Sequence, residues 1–131
     1  MSDNVQIVQG GYNDFLTGNV EGVLNRFADD FTFTVPGAPE IPYAGTKRTR
    51  EELASFFRDL GTMVTFSAFE PREYVASGDR VIAIGRYAGK VNQSGHPFDG
   101  DWAMAWRIQD GKVVEFTEYS DATEIRRGFA G

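Results

Sequence analysis

Four long segments of strand character fill the second half of the chain, at roughly 65 to 76, 80 to 91, 98 to 109 and 112 to 121. They are separated only by the turn signals SGD, NQSGHP and DG. Strands joined by connections this short pair with their neighbours as an antiparallel meander. One face of such a sheet must be covered by something apolar. Pro71 inside the first segment predicts a bulge or an edge strand, because proline has no N–H to give a ladder. The glycines at 85, 89, 95 and 100 offer the bends that a curved sheet needs.

The cover comes from the first half. Asp3 is placed to cap a helix in which Val5, Val8, Tyr12 and Phe15 recur every three or four residues. Gly18 ends it. Asn19 then caps a shorter helix carrying Val20, Val23, Leu24 and Phe27, so the two read as a helical hairpin, and Asp29 and Asp30 read as surface carboxylates closing it. FTFTVPG is a short early strand ended by Pro36 and Gly37, and the three prolines between Pro36 and Gly45 make a stiff loop. Thr49 and Glu52 have capping-box spacing ahead of a helix with Leu53, Phe56, Phe57 and Leu60 on one stripe and Gly61 as its stop. A final short helix begins near Ala122. The fold class is therefore α+β: three N-terminal helices and an early strand, then a curved antiparallel sheet wrapped around them to leave a conical cavity.

With 131 residues, 41% hydrophobic and 14% aromatic, the chain makes one domain over 1–131. It has no cysteine, so disulfides and thiolate chemistry are excluded, and with a single histidine a His-rich metal centre is excluded too. Net charge −6 argues against nucleic acid, which needs clustered Lys and Arg, and the short TKRTR run does not reverse this. No apolar run spans a bilayer, and MSDNVQIVQG lacks a basic region followed by an apolar stretch. These features predict a cytoplasmic protein with neither nucleic-acid nor membrane partners.

The helical hairpin YNDFLTGNVEGVLNRFADDF, the connection TVPGAPEIPYAGTKRTREELASFF and the terminal hairpin WRIQDGKVVEFTEYSDA resemble, in order and spacing, the SnoaL-like, ketosteroid-isomerase-related proteins of the nuclear transport factor 2-like superfamily. The resemblance implies the cone-shaped, cystatin-like form of the α+β fold and a pocket for a small hydrophobic molecule. It does not imply one reaction, since the superfamily includes isomerases, cyclases, hydrolases, dehydratases and binding modules. The ketosteroid isomerase base falls here at Val35 and its protonated aspartate at Met104, so that reaction lacks its groups. In limonene-epoxide-hydrolase-like members an Arg and an Asp two residues apart act with an acid on the last strand. Here those positions hold Arg86, Ala88 and Glu118, and the middle acid is missing.

Strand parity groups Ile82, Ile84, Arg86 and Ala88; Trp102, Met104 and Trp106; and Val114, Phe116, Glu118 and Ser120. The resemblance turns these three faces into the cavity. Glu118 and Arg86 are then the catalytic candidates, and Tyr12, Phe15, Tyr43, Phe57, Ile84, Trp102, Met104, Trp106, Phe116 and Ser120 the ligand-binding ones. If burial dominates, Glu118 has a raised pKa and serves as general base or acid; if Arg86 sits against it, the two form a structural pair or a clamp for a polar group. His96 reads as a turn residue, and Asp121 as a helix cap.

The expected activity is proton transfer of isomerase, cyclase or hydratase type on an apolar, carbonyl-bearing or cyclic substrate, with no cofactor and no metal. The alternative is a non-catalytic hydrophobic-ligand-binding or dimerisation module. The other sheet face, with Val81, Ala83, Tyr87, Ala103, Ala105, Val113 and Tyr119, also needs a cover, and a homodimer through it is expected.

Overall fold

The computed structural model describes residues 2–130. Helices α1 (Ser2–Leu16) and α2 (Val20–Leu24) precede strand β1 (Phe27–Val35). After a loop come β2 (Gly45–Lys47), α3 (Arg50–Met63), the strands β3 (Val64–Ser77), β4 (Arg80–Val91), β5 (His96–Gln109) and β6 (Lys112–Ser120), and finally α4 (Thr123–Ala130). The six strands form one sheet in the order β2-β1-β6-β5-β4-β3. Within it β3 to β6 are the expected antiparallel meander, and β1 joins β6 parallel.

Local chemistry accounts for most boundaries. Asn19 Oδ1 accepts the Gly22 N–H at the start of α2, and Thr49 and Glu52 make a reciprocal capping box on α3. Asp121 Oδ1 accepts from the backbone N–H and the hydroxyl of Thr123, tying down the entry to α4. Pro71 sits where expected: β3 is an edge strand whose register slips between Pro71 and Glu73.

Three boundaries differ from the expectation, the first being Asp3, which lies in the first turn of α1 instead of capping it. Helix α2 stops at Leu24, so Phe27 opens β1, and Asp29 and Asp30 lie on that strand as exposed residues. Gly61 lies inside α3, which runs on to Met63 and passes directly into β3. A glycine ends a helix only where the chain must turn back. Here it does not turn.

The larger correction concerns β4. Across the β4–β5 ladder Ala83 faces Met104, Gly85 faces Trp102 and Tyr87 faces Gly100. Val81, Ala83 and Tyr87 are therefore buried on the inner face, while Ile82, Ile84, Arg86 and Ala88 share the outer one. Both parities of this strand are apolar, so alternation alone leaves the choice open. Volume makes it: a Cβ on Gly85 would lie 2.5 Å from Cζ2 of Trp102 and 2.4 Å from the Glu70 carbonyl oxygen. The large indole needs the small residue beneath it.

On β6 the register shifts between Arg107 and Ile108, so that Phe116 faces Trp106 but Val113 faces Ile108. Val113 and Phe116 are both buried, and Val114 is displaced from the face it was expected to share with Phe116. The inner face meets α1 through Val8 and Tyr12, α3 through Leu53 and Phe56, and α4 through Ile125.

Candidate functional site

Between the helices and the concave sheet face lies a cavity lined by Tyr12 and Phe15 of α1, Phe33 of β1, Ile41 and Tyr43 of the loop, Phe56 and Phe57 of α3, and the inner residues of β3 to β6. Ala122 and Ile125 border it at α4. The space inside it open to water centres is about 80 Å³, several times the roughly 10–15 Å³ that one water takes on that measure. Its walls are almost wholly aromatic and aliphatic. Phe33 and Phe116 stack at 4.3 Å, and Trp106 meets Phe116 edge-on at 4.8 Å. The parallel β1–β6 pairing, which sets Phe33 against Phe116, makes this wall.

Glu118 is the one acidic or basic side chain lining the cavity. Its Oε2 accepts the hydroxyl of Ser120 at 2.7 Å and that of Tyr87 at 3.2 Å. Tyr87 also lies 3.1 Å from Ser120 Oγ, so the three form a closed triangle. Oε1 has no hydrogen-bond partner among the described residues. Burial raises the Glu118 pKa above its ordinary value, against the pull of the Ser120 and Tyr87 hydrogen bonds. Burial likewise raises the Tyr87 phenol, and the Glu118 charge adds to it.

Two other phenols reach the cavity. The Tyr12 hydroxyl accepts the Trp106 Nε1–H at 3.1 Å and donates to Met104 Sδ at 3.1 Å. Both of its roles are taken, and burial pushes its pKa up. Tyr43, buried to 5% exposure, is raised by burial and then by the Glu118 charge. Its hydroxyl makes no hydrogen bond among the described residues.

Of the expected ligand-binding residues, Tyr12, Phe15, Tyr43, Phe57, Met104, Trp106 and Phe116 line the cavity with Glu118. Ser120 stands behind Glu118 and touches its carboxylate. Three expectations are corrected. Arg86 is on the outer face, where it makes a bidentate pair with Asp99 at 3.0 and 2.8 Å and approaches Glu70 at 3.8 Å. It is therefore neither a catalytic partner nor a clamp for Glu118. Ile84 lies on the same outer face. Trp102 is inward but sits beneath the cavity wall, packed against Phe69 at 5.3 Å and Tyr12 at 5.7 Å, with its buried Nε1–H unpartnered.

Sequence reasoning missed Tyr87, assigned to the outside with its strand. The signal was present as small residues, Ala83 and Gly85, alternating with the apolar Val81 and Tyr87 opposite a strand of two tryptophans. His96 opens β5 and its Nε2 lies 2.9 Å from Glu124 Oε1 on α4, outside the cavity. Among the described residues no three His, Asp or Glu side chains converge as a metal ion requires, and no helix is long and apolar enough to cross a membrane.

A curved sheet closed by helices over an aromatic cavity, with one half-buried carboxyl at its wall, defines a cone-shaped α+β protein of the nuclear transport factor 2-like, cystatin-like class. Within that class the chain belongs to the SnoaL-like domain family, whose profile matches residues 8–116. It is similar to a nuclear transport factor 2-like protein of Burkholderia xenovorans at 33% identity, covering 98% of this chain and 97% of that one with a TM-score of 0.89. A second such protein, from Burkholderia pseudomallei, is 28% identical over 100% of both chains with a TM-score of 0.90. A putative polyketide cyclase of Xanthomonas campestris shares the fold at 18% identity, with 98% of each chain covered and a TM-score of 0.78. Comparison with curated proteins returned no match.

Proposed function

We propose that the protein is a small-molecule enzyme that moves a proton on an apolar, carbonyl-bearing or cyclic substrate, with Glu118 as the acid–base group. The observation that carries this reading is the Glu118 carboxyl itself. It is half-buried at the wall of an otherwise apolar cavity, oriented through Oε2 by Ser120 and Tyr87, and unengaged at Oε1 among the described residues. A carboxylate whose pKa is raised by burial is a stronger base once ionised than one in water. Aromatic walls exclude the water that would compete for the proton. Isomerisation, aldol-type cyclisation and hydration or dehydration all use such a transfer, and the fold shared with a protein described as a putative polyketide cyclase is consistent with this group of reactions. Replacement of Glu118 by Gln keeps the shape and removes the base. Turnover should then fall by about 10²-fold or more, the usual contribution of a general base; an unaltered rate refutes the assignment.

A second reading rests on the lining. A cavity this apolar also suits a carrier that holds a hydrophobic metabolite without changing it. Under that reading Glu118→Gln alters affinity only modestly and no product is ever formed.

The proposal includes a homodimer. The outer sheet face carries Ile82, Ile84, Ala103 and Ala105, with Val75 at 53% and Tyr119 at 61% exposure beside them. An exposed apolar patch of this kind is the usual mark of a protein interface. The particle mass in solution, measured by light scattering, reads this directly.

A further inference from the structure

The cavity presents three phenols, and two of them are occupied. Tyr12 is held between Trp106 and Met104, and Tyr87 between Glu118 and Ser120. Tyr43 lies on the cavity wall near Glu118 with its hydroxyl unpartnered among the described residues. That hydroxyl is not fully enclosed, since Trp102 Nε1 is the one fully buried side-chain polar atom without a partner among the described residues, so it meets open space and is free to donate. Its position is not loose. Ile41 N–H donates to the Gly37 carbonyl at 2.9 Å and Ala44 N–H to the Ile41 carbonyl at 3.0 Å, so one closed turn precedes the residue and a second contains it. The ring is wedged edge-on against Phe56 at 5.8 Å and Phe129 at 6.0 Å.

The remaining lining bears on what would accept this hydrogen bond. No Lys, Arg or His is among the cavity-lining residues, and Glu118 is there. A carboxylate or phosphate on the substrate would be buried without a cation and beside an acid, which is strongly unfavourable.

Resting on the reading of Glu118 as the proton-transfer group, we propose that Tyr43 is a second catalytic residue. Its O–H donates to the carbonyl oxygen of a compact, neutral ketone-type substrate whose adjacent C–H faces Oε1 of Glu118. In the step this implies, Oε1 takes the proton from that carbon. The C–H electron pair becomes the new C=C bond, the carbonyl π pair moves onto oxygen, and the Tyr43 O–H holds the resulting enolate. Return of the proton, to the same carbon or to a conjugated one, restores the carbonyl and the carboxylate. A donor aimed at the oxygen where charge develops stabilises the transition state more than the ground state.

The test uses two fluorinated probes of nearly equal shape, 4-fluoroacetophenone and 4-fluoro-α-methylstyrene, in which a CH₂ replaces the carbonyl oxygen. Binding is followed by ¹⁹F NMR, and exchange of the ketone's methyl protons in D₂O by ¹H NMR. The wild type is expected to bind the ketone about tenfold more tightly than the alkene, the effect of one neutral hydrogen bond in a dry site. Tyr43→Phe should abolish that preference while leaving alkene affinity unchanged, which also shows an intact cavity. It should slow exchange by about 10²-fold, as loss of an oxyanion donor does. Retention of the ketone preference in Tyr43→Phe overturns the proposal, and so does a wild type that binds neither probe or does not distinguish them. The Glu118 reading is scored separately. A wild type that shows a Tyr43-dependent preference but no exchange fails Glu118 as the base and upholds the Tyr43 hydrogen bond, and exchange that survives Glu118→Gln also counts against Glu118 alone.

Discussion

Glu118 connects the chemistry of the cavity to the stability of the protein. Its carboxyl is held above the ordinary value of 4.5 by burial, so the folded chain keeps a proton that the unfolded chain gives up. The stability due to this difference is fully present below pH 4.5 and is lost as pH rises from there towards the raised value. Glu118→Gln removes the titration. In thermal unfolding, the gap between variant and wild type should therefore widen in the variant's favour as pH rises above 4.5; a gap independent of pH would contradict the burial. Arg86 gives the contrasting case. Its partners are Asp99 and Glu70 on an exposed face, where ion pairs contribute little. Arg86→Ala should leave both turnover and the unfolding midpoint close to wild type, and a large loss of turnover would return Arg86 to the site. Glu118 was legible as an inward acid because β6 alternates cleanly from Phe116 to Ser120 and the family resemblance turns that face into the cavity. Arg86 was misread because its strand is apolar on both faces and the indole that decides between them lies on another strand.

At the level of the elements, what is local was readable and what depends on volume was not. The α3 start is local: Thr49 Oγ1 accepts the Glu52 N–H at 3.1 Å, and Glu52 Oε1 accepts the Thr49 N–H at 3.3 Å and the Arg48 N–H at 2.8 Å. Thr49→Ala should cost about 1 kcal/mol in urea unfolding; no change would mean the box is idle. The β4 face depends on Gly85, whose missing Cβ accommodates Trp102. Gly85→Ala forces a contact with a backbone carbonyl as well as with the ring, and overpacking of this kind costs about 1–3 kcal/mol. A neutral result would show that β4 shifts without strain. The extent of α2 and the position of Gly61 were misjudged for a related reason. Periodicity carried the α2 reading past Leu24, whereas the glycine signal stopped the α3 reading short of Met63.

For the whole molecule, the decisive arrangement is the parallel docking of β1 on β6. It joins the two halves of the chain and sets Phe33 on Phe116, without which the cavity has no end wall. The outer face of β4 to β6 is the other large-scale feature. If it is the dimer interface proposed above, Ala105→Glu places a charge at its centre, opposite Ile82 and Thr117. The variant should sediment as a monomer at concentrations where the wild type is a dimer, because an unpaired buried charge outweighs the gain of one contact. A variant that remains dimeric would move the interface elsewhere.

The SnoaL-like architecture was legible in the chain because its signals are short-range: caps, helical spacing, turn residues and two-residue alternation each act over a few positions. Alternation grouped Glu118 with Phe116 on one face, and the family resemblance turned that face and most of the aromatic lining into the cavity. Which face of β4 turns inward, whether Arg86 meets Glu118, and which phenol keeps a free hydroxyl were decided only by the fold. Each depends on the volume or hydrogen-bonding demand of a residue distant in sequence: Trp102 opposite Gly85, Asp99 beside Arg86, and Trp106 and Met104 around Tyr12.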